Sequence, residues 1–115
     1  MPKLVDKEGK EIFPIERGTV TSTIGSVDYI KQGNIVIYTA NFNTSSINSG
    51  ATTLVSKLPF YNSNMNYVGS AAERVGDVTI NHATLHVTTS GQLRAFHTEY
   101  GNQVEFIGSV VVMLE

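Results

Sequence analysis

The chain has 115 residues, no cysteine, 8 basic and 10 acidic side chains and a formal net charge of −2. One domain is the expectation at this length, with roughly two thirds of the unfolded surface removed from water on folding. Without cysteine there are no disulfides, thiolate metal centres or cysteine nucleophiles, and charges scattered singly give no basic stripe on which nucleic acid could be neutralised. The longest apolar run, Val110 to Leu114, is far too short for a membrane span, and the start of the chain lacks the apolar stretch of a signal peptide. Neither membrane insertion nor secretion is expected.

Charge is unevenly placed. Lys3 to Arg17 holds eight of the eighteen charged residues, and the chain beyond it is rich in Thr, Ser, Asn, Gly and Val. This divides an N-terminal arm or short hairpin, residues 1–17, from a body, residues 18–115. In the arm, Leu4-Val5 and Ile12-Phe13 bracket a polar turn at Glu8-Gly9 before Pro14. No window of the body sustains apolar residues at helical spacing, and β-branched residues dominate it, so an all-β body is expected.

The strands follow in chain order. The stretch "VDYIKQGNIVIYTANF" reads as a hairpin with Gln32-Gly33 at its tip, setting Tyr29 opposite Val36 and Val27 opposite Tyr38. After a polar loop, "TLVSKLP" reads as a short strand stopped by Pro59. Between "ATLHV" and "LRAFH", a three-residue turn with Gly91 left-handed would pair Val87 with Leu93 and Leu85 with Ala95. A second turn at Gly101-Asn102 would add the last strand, with His97 opposite Phe106 and Ala95 opposite Gly108. These registers agree on one inward face, odd-numbered from Ala83 to His97 and even-numbered from Val104 to Leu114. About eight such strands predict an antiparallel β-sandwich of jelly-roll type, with the arm extended from it.

The outward face of that three-stranded meander would carry Phe96, Ile107, Val111 and Met113 beside His82, His86, Arg94 and Glu105. A monomer rarely leaves so much apolar surface in water, so these four residues are the expected interface of a homo-oligomer.

One loop has the chemistry of a ligand surface. "LPFYNSNMNY", Leu58 to Tyr67, offers aromatic rings that stack on flat apolar faces and amides that both donate and accept. Tyr61, Asn62, Asn64 and Tyr67 are therefore candidate saccharide contacts. The plainer reading has Phe60 and Tyr67 plugging the end of the core while the asparagines satisfy turn backbone.

Other chemistry has weaker support. In a strand, His82 and His86 lie about 13 Å apart, too far to share one metal ion. No metal or cofactor site is expected, and His97 reads as a core histidine. No Gly-x-Ser-x-Gly elbow or phosphate-cradling glycine loop occurs in the sequence. Glu73 and Asp77, with Arg74 between them, would be the carboxylates of a glycoside hydrolase if the chain were an enzyme, but they read more simply as a solvated loop. Asn43-Thr44-Ser45 matches a glycosylation acceptor and is expected to be an unmodified loop.

Three stretches, taken in their order along the chain, carry a resemblance: "VDKEGKEIFPIERGTV", "YIKQGNIVIYTANFN", and "LPF" followed downstream by "LHVTTSGQLRAF". The sequence resembles the small β domains of tail-fibre and baseplate proteins of phages that infect Gram-positive bacteria. That resemblance implies a jelly-roll-like sandwich, commonly a trimer, carried on the virion among other tail or baseplate proteins and binding host cell-wall saccharide. It departs from longer members in having no repetitive fibre-forming stalk. A purely structural oligomerisation or docking role is the alternative.

Overall fold

A computed structural model describes residues 15–44, 50–75, 78–97 and 104–114. Eight antiparallel strands form one sheet, and no helix occurs among the described residues. They are β1 (Ile15–Ser22), β2 (Gly25–Gln32), β3 (Ile35–Thr44), β4 (Gly50–Val55), β5 (Tyr67–Val75), β6 (Val78–Val87), β7 (Leu93–His97) and β8 (Val104–Met113). The order across the sheet is β1-β2-β3-β8-β5-β6-β7-β4. The sheet curls until its edge strands β1 and β4 approach one another, making it nearly closed. The arm's Leu4-Val5 and Ile12-Phe13, Asp77, and the Gly101-Asn102 turn lie outside the described residues.

Alternation sets the inside of this wrap. Val36, Tyr38, Ala40 and Phe42 of β3 are buried, whereas Ile35, Ile37, Thr39 and Asn41 face out. The expected inward parity also holds farther on: Leu85, Val87, Leu93, Ala95, Phe106, Val110 and Val112 all join one core. Inside, a cross-strand row runs Ala40–Gly108–Ala71–Ala83 through β3, β8, β5 and β6. A Cβ on Gly108 would stand 2.2 Å from the Ser70 carbonyl oxygen, so at this row of small residues β8 passes β5 too closely for a larger side chain.

The β6–β7 hairpin has the expected register, Leu85↔Ala95 and Val87↔Leu93. Its three-residue loop closes with Thr88 N donating to Gln92 O at 3.0 Å, and Gly91 takes φ 87°.

Two expectations need correction. The β2–β3 hairpin turns at Gly33-Asn34, not Gln32-Gly33, so Tyr29 faces Tyr38 and Val27 faces Ala40. A two-residue loop of this kind favours positive φ at both central positions. Gly33 supplies it at 60°, and Asn tolerates it better than Gln. The shift is by two residues, so inside and outside are preserved.

The β6–β7–β8 meander does not form. β7 pairs instead with β4, setting Ala95 against Thr52, and β8 lies between β3 and β5, with Phe106 opposite Phe42 and Glu73. The hairpin rule assumes that successive strands are neighbours. Here the flat Gly108 segment fits between Ala40 and Ala71.

Candidate functional site

The segment after β4 crosses the end of the barrel where the Gly33-Asn34 turn and the Thr88–Gln92 hairpin also lie. Leu58 N donates to Gly91 O at 2.7 Å, and Leu58 is buried in the core. Phe60 comes next and is held twice by Tyr38 from inside. The Tyr38 hydroxyl donates to Phe60 O at 2.6 Å and accepts from Phe60 N at 3.2 Å. The Phe60 ring meets Tyr29 edge-on at 5.5 Å between centroids. Burial first, and the neighbouring Tyr29 in addition, push the Tyr38 hydroxyl up to about 12 against the opposing pull of its Phe60 hydrogen bond.

The four saccharide candidates of this segment have different surroundings. Asn62 is buried. Its Nδ2 donates to Met113 O at 2.9 Å, and its Oδ1 accepts from Asn64 N at 2.8 Å and Met65 N at 3.2 Å. Its amide therefore clamps the loop to the end of β8 and is not presented outward. Tyr61 and Tyr67 are half-buried against the core. The Tyr61 ring lies over Gly91, and its hydroxyl accepts from Lys57 Nζ at 2.7 Å. Among the described residues the Tyr67 hydroxyl reaches only the Met65 sulfur, at 3.9 Å. Asn64 is exposed, as are Met65 and Asn66; the Asn66 side chain accepts from Thr89 N at 3.0 Å. An outward rim of Lys57, Tyr61, Asn64 and Tyr67 remains.

The four interface candidates do not share one patch. β5 and β6 separate Phe96 on β7 from Ile107, Val111 and Met113 on β8. Ile107 is half-buried between Asn41 and Ala72. Val111 and Met113 instead join residues that sequence reasoning did not single out. Ile30, Ile37 and Val111 stand side by side across β2, β3 and β8, and Ile35 pairs with Met113 one step along. All five are two-fifths to one-half exposed. The outward alternation of isoleucines in "IVIY" is the signal that could have found them. Beside them a shallow groove of about 490 Å³ runs over Arg17, Thr19, Asp28, Ile30, Ile37 and Thr39, with the Thr19 hydroxyl donating to Asp28 Oδ1 at 2.7 Å.

On the other half of the sheet, the outward face of β6 and β7 gathers Thr84, His86, Arg94 and Phe96. His86 faces Arg94 and Thr84 faces Phe96 across the strands. The His86 and Phe96 rings are 4.2 Å apart, the Arg94 guanidinium carbon lies 5.4 Å from the Phe96 centroid, and Thr84 Oγ1 is 3.1 Å from His86 Nε2. Burial, and then the Arg94 charge, hold the His86 imidazole below its ordinary pKa.

Glu73 is turned into the core at a bulge of β5, opposite Phe106. Arg74 pairs with Glu105 at 3.8 Å, and Asp77 lies outside the described residues. His82 is exposed on β6. No group of three or more metal-ligating side chains gathers among the described residues. No family model matches this sequence, and no curated protein matches it.

Proposed function

We propose that this protein is a non-catalytic structural component of a phage or prophage tail or baseplate, carried on the virion and working as a homo-oligomer. The observation that carries the proposal is the outward apolar patch of Ile30, Ile35, Ile37, Val111 and Met113 on β2, β3 and β8. Five large aliphatic side chains in adjoining strands cost free energy in water, and burying them against another copy recovers it. The resemblance of three ordered sequence stretches to tail and baseplate domains supplies the setting. In that setting the jelly-roll-type sandwich corresponds to a flattened barrel, with β1-β2-β3-β8 as one layer and β5-β6-β7-β4 as the other, and a trimer is the expected copy number.

A second reading rests on the exposed Asn64 beside the Lys57–Tyr61 pair at the barrel end. There the assembled copies would present weak saccharide contacts through Tyr61, Asn64 and Tyr67, and repetition would raise their effective affinity. Asn62 then serves as the clamp that shapes the loop.

Light scattering coupled to size exclusion tests assembly. The expected mass is a multiple of the monomer's. Ile37→Asp with Val111→Asp should lower it to that of one chain while leaving the β-type circular dichroism unchanged. A wild-type monomer at high micromolar concentration overturns the assembly proposal. Retention on a cell-wall preparation, compared between wild type and Asn64→Ala, tests the saccharide reading.

A further inference from the structure

Arg94 is the one residue of the β6–β7 outward cluster with a permanent charge, and its surroundings do not answer that charge. Opposite it stands Thr53 on β4, and opposite its neighbour His86 stands Val68 on β5. Among the described residues no carboxylate lies within ion-pair distance of Arg94, and its Nε is buried without an acceptor. A guanidinium with no carboxylate partner has its best-matched acceptor in a carboxylate or phosphate oxygen, which the outer nitrogens of the fork can meet bidentately. Next to it Phe96 is more than a third exposed. An apolar ring face beside a cation, with the Thr84 hydroxyl and the His86 imidazole at its edge, suits a ligand that carries one anionic group on a flat or puckered ring.

We infer that the outward face of β6 and β7 is a binding site for an organic oxyanion, a carboxylate or phosphate borne on a sugar ring. Arg94 holds the anion, Phe96 packs on the apolar face of the ring, and Thr84 with His86 meets its polar edge. The site is separate from the Tyr61–Tyr67 loop and from the β2–β3–β8 patch, so it stands whether or not the protein assembles through that patch.

Proton linkage supports the assignment. The groups facing His86 are Val68 from β5, Arg94 and Phe96 from β7, and Thr84 along β6, with the exposed His82 farther along the same face. Arg94 is the only permanent charge among them. A bound anion offsets it, relieves one of the two causes that keep His86 neutral, and so binds more tightly as pH falls through the imidazole range.

The test is heteronuclear NMR of the full chain with glucuronate, glucose 6-phosphate and glucose as probes, following the Arg94 Nε–H, the His86 ring and the Phe96 ring. The expected result is a saturable shift of all three with at least one of the two anionic sugars, about tenfold weaker with glucose. The tighter of the two identifies the anion as carboxylate or phosphate. Arg94→Gln should weaken that response about tenfold, Phe96→Ala should remove the preference for the sugar over its inorganic anion, and Lys31→Gln, an equal change of net charge on β2, should leave it intact. No saturable response to either anion at tens of millimolar overturns the inference, as does a response that survives Arg94→Gln. Dispersed spectra of each variant show that it is folded, and the light-scattering mass reports separately on assembly.

Discussion

Tyr38 and Phe60, which are distant in sequence, are joined by two hydrogen bonds through one hydroxyl, donating at 2.6 Å and accepting at 3.2 Å. A core side chain thus satisfies both backbone groups of the residue that closes the barrel end. Tyr38→Phe leaves that carbonyl and amide with no protein partner and should destabilise the fold by about 1–3 kcal/mol, read from the urea midpoint.

The same hydroxyl predicts an alkaline limit. Its pKa in the fold, about 12, lies above the ordinary 10.0, so between these values the folded chain keeps a proton that the unfolded chain has lost. Tyr38's contribution is therefore complete below about pH 10 and is lost as pH rises toward 12, on the order of 2 kcal/mol in all. Urea midpoints taken across that range should fall more steeply for wild type than for Tyr38→Phe; parallel curves would contradict the assignment.

The single buried amide of Asn62 makes three hydrogen bonds, one tying the loop to Met113 O at the end of β8 and two holding the loop's own Asn64 and Met65 amides. Asn62→Ala should cost about 2–3 kcal/mol in urea unfolding. Asn62→Asp retains the two acceptor contacts but sets a carboxylate against the Met113 carbonyl, so its loss of stability should shrink when the pH is lowered enough to protonate it.

What the sequence made legible was parity. Period-two alternation identified Leu85, Leu93, Ala95, Phe106 and Val110 as inward because each strand carries that information within itself. It also set His86, Arg94 and Phe96 on one outward face. Partner choice was not legible. Glu105, expected on the same outward face as Arg94, lies on β8 away from it and pairs with Arg74, and among the described residues no carboxylate pairs with Arg94. Long-range fit decided this, through the Ala40–Gly108–Ala71–Ala83 row, and no local turn signal reports it. The clamp role of Asn62 was hidden for a similar reason, since its partner Met113 is 51 residues away.

Gly108 tests the row. A Cβ there would stand 2.2 Å from Ser70 O and 2.5 Å from Ala71 Cα, both backbone atoms that can move only if β5 and β8 part. Gly108→Ala should cost about 3 kcal/mol or more, well beyond the ordinary surface substitution, and should show as loss of hydrogen-exchange protection along β5 and β8 first. A variant as stable as wild type would mean that the two strands do not pass this closely.

The acid side belongs to His86, whose pKa in the fold lies below its ordinary 6.5. As pH falls below that value the unfolded chain takes up the proton first, so the contribution of neutral His86 is held above about pH 6.5 and is lost as pH drops through the folded-state pKa. Burial is the larger cause and Arg94 the second. Arg94→Gln should therefore move the His86 ring titration, followed by NMR, part of the way back toward 6.5, and His86→Gln should flatten the fall of the urea midpoint as pH drops below about 6.5. A His86 titration unchanged by Arg94→Gln would show that the guanidinium does not reach the ring electrostatically, and the proton-linked tightening expected of the anion site would go with it.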